Sequence, residues 1–384
     1  MKLTVNKEQI IEGLLKAAAI IPAKAGAQYL RSIWLKAEEG SLSVMSTDAN
    51  IEFTGRYPAE VAAPGLIGVQ GRAFVDLVRQ LPTGVLHLTL DEASGNLLLE
   101  QGRRTYKLPV SGAEWFQNFS AFPAENAVTW SGDFLQDILD KVGFCISDDD
   151  AMDAIACLCM KPRGNGRIDV CGLNGHQFAL VSFTHDELAE RLPEAGMLIQ
   201  KKYLADIKKW LGVDEIELNI TDKRLYLRSL DGAETLSLPR AAHEYPDYNI
   251  FMSKLASEDM HPMTLARKEA IEALGRILIF NTESDRCTYM DLSAGEALLS
   301  AQGQDVGSAN ESLEVAYHGD IKRIAFPTRN LLDVLGHFVS AKIDMMLTGS
   351  EGPCGIRGAD DADYTVIIMP MKVSETTYYS EEDV

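Results

Sequence analysis

At roughly 100–200 residues per domain, a chain of 384 residues has room for two to four domains, and its 46% apolar and 24% charged residues are those of an ordinary globular protein. No apolar run nears the ~20 residues of a membrane span, and the N-terminus lacks a signal peptide's long apolar region and cleavage site, so a cytoplasmic protein is expected. A formal charge of −20, taken as a total, argues against nucleic acid, whose usual electrostatic footprint is a basic patch.

In chain order, TVNKEQIIEGLLKA (4–17) reads as a short strand, a polar turn and an amphipathic helix, with Ile10, Ile11 and Leu14 at helical spacing. The alternating strand SLSVMSTD follows, then a second helix in VQGRAFVDLVRQL (69–81) and the strand VLHLTL. TWSGDFLQDILDKV (129–142) repeats the first pattern with Phe134, Leu135 and Ile138, and IQKKYLADIKKWL (199–211) repeats the second, followed by EIELNI and RLYLRSL. TLARKEAIEALGRI (264–277), with Ala270, Ile271 and Leu274, and FPTRNLLDVLGHF (326–338), followed by KIDMML, complete a third round.

Two ordered sets therefore recur at one period, which chance likeness between amphipathic helices does not produce. Asp76, Asp206 and Asp333 mark the second helix of each round at spacings of 130 and 127 residues. Each round closes on an apolar residue followed by proline: Leu108-Pro109, Leu238-Pro239 and Met369-Pro370. The reading is an α+β protein of three tandem two-helix, antiparallel-sheet domains at 1–126, 127–256 and 257–373, with an acidic tail at 374–384 expected to be disordered.

Charge is segregated within this plan. The six helices together come to +3 and the rest of the chain to −23, against the total of −20. In 199–211, Tyr203, Leu204, Ile207, Trp210 and Leu211 form one face, with Lys201, Lys202, Lys208 and Lys209 nearly opposite. On one isolated helix this would be a solvated face; on helices sharing a surface it is a place for phosphates. The helix at 131–142, with Asp133, Asp137 and Asp140, runs against that trend.

Positive signs of catalysis are missing. His176 has no accompanying nucleophile motif, and Asn174-Gly175 reads as a tight turn between strands. The aspartates of SDDDAMD (Asp148, Asp149, Asp150, Asp153) and GADDAD (Asp360, Asp361, Asp363) lack an EF-hand's Gly and Glu placement and read as solvated acidic turns. There is no phosphate-binding glycine loop. The six cysteines form no CxxC pair and read as buried, reduced thiols. No cofactor or metal is expected.

Three tandem domains, the central Asn174-Gly175-His176-Gln177-Phe178, the segment Tyr245-Pro246-Asp247-Tyr248 and the terminal Met369-Pro370-Met371-Lys372-Val373 together resemble the bacterial sliding clamps, the β subunits of DNA polymerase III. Gln177 stands where that family carries Arg, and Asn174 where it carries Asp. The resemblance, over residues 1–373, implies a non-enzymatic processivity factor: a head-to-tail homodimer closing into a six-domain ring around double-stranded DNA, without sequence preference. It implies that Lys24, Lys201, Lys202, Lys208 and Lys209 approach the DNA. The polymerase III catalytic subunit, the clamp-loader complex and other proteins with a clamp-binding motif would dock short segments in an apolar pocket. Carried over residue by residue, that pocket takes Ile155, Gly175, His176 and Phe178, then Pro246, Ile250 and Phe251, and finally Ile367, Ile368, Met369, Pro370 and Met371. Two Met side chains and an interrupting Pro suit an adaptable apolar wall that ends a sheet. The ring contact would set Tyr106 and Leu108 against Ile277 and Leu278, with Arg103 and Arg104 meeting Asp305 and Glu311. Two other readings compete: a metal-dependent hydrolase using an Asp cluster, and an acidic repeat scaffold that binds only proteins.

Overall fold

The computed structural model describes residues 1–22, 27–149, 153–256, 260–303 and 305–372. The six predicted helices are present as α1 (Lys7–Ile20), α2 (Gly71–Gln80), α3 (Gly132–Gly143), α5 (Leu204–Trp210), α7 (Arg267–Ile277) and α8 (Thr328–Gly336). Two short ones were not foreseen, α4 (Asp186–Arg191) and α6 (Asn249–Lys254). No helix among the described residues is long and apolar enough to cross a membrane.

Among the described residues, the strands form two antiparallel sheets, of 13 and 12 strands. One compact unit comprises Met1–Leu139, Glu190–Leu192 and Ile199–Ala242; the other comprises Asp140–Ala189, Pro193–Leu198 and the described chain from His243.

The internal repeat is written in the strand register. In every round, the strand before the first helix pairs with the strand after the second and carries a matched threonine within the ladder: Thr4 lies opposite His87, Thr129 opposite Glu217 and Thr264 opposite Asp344. Two of these pairs also meet through side chains, Thr4 Oγ1 and His87 Nδ1 at 3.0 Å and Thr264 Oγ1 donating to Asp344 Oδ1 at 2.6 Å. Three-stranded meanders follow the same plan, as in Ser32–Glu38, Ser41–Thr47 and Glu52–Pro58, or Lys342–Leu347, Cys354–Gly358 and Tyr364–Ile368.

Each of the six expected helices buries most of the stripe that its spacing marks, with Ile11, Phe134 and Ile271 half-buried at its margin. Ile10, Leu14 and Ala17 of α1 are inaccessible beneath the sheet, as are Leu331, Val334 and Leu335 of α8. At roughly 1.5–3 kcal/mol per buried large aliphatic side chain, these stripes decide which helix face turns inward. All six cysteines are buried, and none is in a disulfide.

Candidate docking site, lysine face and open sheet edges

The turn Asn174–Gln177 sits where the strands Arg167–Leu173 and Gln177–Thr184 meet. Asn174 Oδ1 accepts from the backbone N–H groups of His176 (3.0 Å) and Gln177 (2.8 Å), and Gly175 takes φ +87°, a conformation that favours glycine. Gln177 is buried. Its amide accepts from Asn174 Nδ2 and donates to the Asn330 carbonyl of α8 at 3.4 Å, so it serves the turn internally.

Strand pairing then brings the C-terminal run to this turn. Phe178 lies opposite Ile367 and Gln177 opposite Ile368, and the Met369 N–H donates to the His176 carbonyl at 2.9 Å. Ladder pairing stops at Pro370, which has no N–H to give, and the Met371 N–H turns instead to the Ala325 carbonyl at 2.8 Å. The Ser147 N–H is shared between the carbonyls of Ile155 and Leu173, both at 3.1 Å, which holds the Ile155 loop at the same strand end. The Phe178 ring stacks on Tyr248, with centroids 5.5 Å apart, and meets Phe251 at 6.3 Å.

These expected pocket residues differ in what they offer. Phe178, Ile367 and Ile368 are buried and form a floor. Ile155, Phe251, Met369 and Pro370 are half-buried, while Ile250 and Met371 stand 58% and 47% exposed. Pro246 is exposed and lines a cleft of about 490 Å³ whose other walls include Cys159, Lys161, Tyr245 and Asn249, none of them an expected pocket residue.

Reading the sequence missed the polar network behind Tyr248. Asp169, buried in the strand Arg167–Leu173, accepts from Ser182 Oγ at 2.6 Å and Tyr248 Oη at 3.0 Å, and pairs with Arg163 Nε at 3.1 Å. The Arg163 guanidinium lies 5.3 Å from the centre of the Tyr248 ring and also bonds Asn249, the first residue of α6. Burial, and then the Asp169 carboxylate, hold the Tyr248 hydroxyl well above the usual phenol range. A buried carboxylate is tolerable only with such partners.

The lysine face departs from the expected single helix. The strand Met197–Gln200 runs directly into a 3₁₀ turn, Lys201–Tyr203, and α5 begins only at Leu204. Leu204, Ile207 and Trp210 are buried, Lys202 and Lys209 exposed, Lys201 and Lys208 half-buried. Lys202 Nζ lies 4.9 Å from the centre of the Tyr203 ring. Burial raises the pKa of Asp206 against the lowering pull of Lys209. Lys24 lies outside the described residues.

Two strands are open along part of one edge. In Arg104–Ser111, only Val110 and Ser111 pair with Gly65–Gln70; among the described residues, nothing pairs with that side of Arg104–Pro109. Gly307–Tyr317 behaves likewise, pairing on its second side with His261–Ala266 only through Val315–Tyr317. Arg104, Tyr106 and Leu108 lie on the first open stretch and Glu311 on the second; Arg103 and Asp305 precede them and are exposed. Ile277 is corrected. It is fully buried, because it continues the inward stripe of Ala270, Ala273 and Leu274, and it has no surface to offer. Ile279, in the 3₁₀ turn Leu278–Phe280, is 69% exposed instead, and Leu278 is half-buried. Glu311 is already engaged by Arg276, through Nε at 3.0 Å and also through Nη2, and that bond holds its carboxyl below the usual range.

Among the described residues, no group of three or more His, Cys, Asp or Glu side chains is arranged to hold a metal ion. Asp361 is structural: it accepts from the N–H and the hydroxyl of Ser340 at 2.9 and 2.6 Å. Asp150 lies outside the described residues.

Two antiparallel sheets carrying a three-fold strand–helix repeat define an α+β protein of the DNA-clamp fold. The structure of Caulobacter crescentus pol III beta superimposes with a TM-score of 0.89 at 23% identity, and that of the Pseudomonas aeruginosa DNA polymerase III subunit beta with 0.87 at 23%. Both comparisons cover 97% of this chain and 100% of the other. In sequence, the beta sliding clamps of Caulobacter vibrioides and Pseudomonas aeruginosa are 23% and 24% identical over 379 and 378 residues, again 97% of this chain and 100% of theirs. The model of the DNA polymerase III beta subunit N-terminal domain matches residues 1–120, and that of its C-terminal domain residues 255–372. The chain belongs to the DNA polymerase III beta subunit family.

Proposed function

We propose that this chain is a DNA sliding clamp, a processivity factor that does no chemistry of its own and keeps a DNA polymerase on duplex DNA. The observation that carries this reading is the three-fold strand–helix repeat, in a chain matched at both ends by the two beta-subunit domain models. Three domains, 1–126, 127–256 and 257–373, make half of a six-domain ring, and a second copy completes it head to tail. The open edges at Arg104–Pro109 and Gly307–Glu314 support that closure, since an unpaired strand edge is a template for another strand. The tail 374–384 lies outside the described residues and is assigned no part.

The DNA-facing surface is assigned to the basic segment Lys201–Lys209, with Lys24 as an additional contact. The strongly acidic remainder keeps DNA off other surfaces, which suits an object that must slide rather than grip. The polymerase III catalytic subunit, the clamp-loader complex and other proteins with a clamp-binding motif dock at the apolar site around Phe178, Phe251 and Met371. The protein works in the cytoplasm, where its buried thiols stay reduced.

The test is topological. Loaded by the cognate loader onto a closed circle, the protein should stay bound, and it should run off once the circle is cut. Equal retention on both forms would refute enclosure.

A further inference from the structure

Helix α6 has six residues and none of them is buried. A helix that short does not hold itself together in water, and this one has no apolar stripe to dock it. Its place is set at its two ends. Leu255, just beyond the C-terminal end, is buried so tightly against the strand Cys354–Gly358 that a Cβ on Gly355 would lie 2.6 Å from its Cδ1. Tyr248, just before the N-terminal end, is buried between the Phe178 ring and the Arg163 guanidinium, with its hydroxyl on Asp169. Between these two pins, α6 displays Ile250 and Phe251.

The two pins differ in kind. Packing at Leu255 fixes a position, but apolar contact is non-directional. At the other end, Asp169 ties to α6 twice: directly through Tyr248 Oη, and through Arg163, which bonds Asn249. Ser182 Oγ at 2.6 Å holds the carboxylate itself in place. The bonds of Asp169 to Ser182 and Tyr248 are buried, and those through Arg163 are charge-assisted, so together they set orientation as well as position.

We infer that Asp169 is a positioning residue of the docking site: through Tyr248 and Arg163 it fixes the first turn of α6 and so aims Ile250 and Phe251 at the incoming segment. The inference rests on the docking reading above and touches no partner atom itself. It assigns to a buried acid, lying behind the apolar surface and bonded to Tyr248, control over how well that surface is formed.

The experiment compares the full-length protein with Asp169→Ala, Asp169→Asn, Tyr248→Phe and the Asp169→Ala/Tyr248→Phe pair. Amide hydrogen exchange over Ile250–Lys254 reads the position of α6, and surface plasmon resonance with the cognate polymerase catalytic subunit reads docking. Asp169→Ala should speed exchange in α6 at least tenfold while leaving that of Tyr364–Ile368 unchanged, and should weaken polymerase binding about tenfold. Asp169→Asn keeps one acceptor oxygen, enough for Ser182 or Tyr248 but not for both, and should recover only part of both effects. Tyr248→Phe leaves the ring stacked and lacks only the hydroxyl; in that background Asp169→Ala should cost less additional affinity than it does alone, the coupling expected of residues in one network. Unchanged α6 exchange in Asp169→Ala, or an equal rise across the whole sheet, would overturn the inference. So would full polymerase affinity in both Asp169→Ala and Tyr248→Phe. Wild-type protein that fails to bind polymerase at this site would instead sink the docking reading, while the exchange data would still decide what Asp169 does.

Discussion

Ring closure makes a quantitative demand on Ile279. This side chain is 69% exposed and follows a helix whose inward face is already complete at Ile277. If the outer edge of Gly307–Glu314 meets a second copy, Ile279 stands beside it and becomes buried only on association. Full burial of a large aliphatic side chain is worth about 1.5–3 kcal/mol, so losing most of it in Ile279→Ala costs about 1–2 kcal/mol at each interface. A head-to-tail ring contains that interface twice. The total is about 2–4 kcal/mol, which raises the dimer Kd roughly 30- to 1,000-fold. Sedimentation equilibrium over a dilution series measures that shift directly. Monomer stability should stay within about 0.5 kcal/mol, because the substitution touches no core. Val339→Ala, at a side chain 67% exposed in the loop before the strand Lys342–Leu347, is the matched control. An unchanged Kd for Ile279→Ala, or an equal loss for Val339→Ala, would refute the assignment of this edge to the dimer.

The double change Lys201→Glu/Lys202→Glu should weaken DNA association while leaving the melting temperature within a few degrees, and should flatten the salt dependence by about one unit for each phosphate that is no longer neutralised; loading with an unaltered salt slope would place the DNA elsewhere. Phe251→Ala and Met371→Ala should each cut polymerase affinity roughly tenfold or more, because a few apolar contacts dominate such docking, and a titration against the catalytic subunit checks this. Asp206→Asn should raise stability at pH 7. Its folded pKa is raised by burial, so the native state holds a proton that the unfolded state releases, and wild-type stability falls as pH climbs from the ordinary carboxylate range through that raised value. The gain should vanish at pH values below the unfolded carboxylate pKa, and melts at pH 3 and pH 7 distinguish this from a gain independent of charge.

The repeat and its six principal helices were legible because both rest on local periodicity: Ile10 and Leu14 in one round and Leu331 and Leu335 in the last repeat one arrangement under different side chains. The same periodicity places Ile277 in the core, and the resemblance that assigned it to an interface overlooked this. The start of α5 was illegible because Lys201–Tyr203 has acceptable helical spacing, but an incoming strand fixes its geometry. The Asp169 network could not be read at all. It joins residues 79 positions apart, and each of them, alone in the sequence, looks like an ordinary strand or turn residue.

The first round carries a turn equivalent to the docking-site turn of the second, but with different side chains around it. Asp48–Ile51 matches Asn174–Gln177 closely: Asp48 Oδ1 accepts from the N–H groups of Asn50 (2.8 Å) and Ile51 (2.7 Å), and Ala49 takes φ +83° where Gly175 takes +87°. The strand after each turn pairs with the closing strand of a later round, Glu52–Pro58 with Glu234–Pro239 and Gln177–Thr184 with Tyr364–Ile368. From there the chemistry diverges. The position of Phe178 is held by Glu52, which lies opposite Ser237 and accepts from Ser237 Oγ at 3.3 Å. The position of His176 is held by Asn50, whose carbonyl takes a bond from Arg224 Nη2 at 2.7 Å where His176 takes one from the backbone of Met369. Arg224 also bonds the Ser237 hydroxyl, through Nε at 3.0 Å and Nη2 at 2.8 Å, so the first turn is filled by an internal polar network. A partner's apolar anchor would have to displace satisfied, partly buried hydrogen bonds there, whereas at the second turn it meets the apolar side chains of Phe251, Met369 and Met371, which are half-buried or exposed. One backbone device thus serves two ends, and the side chains around it decide which end is open to a partner.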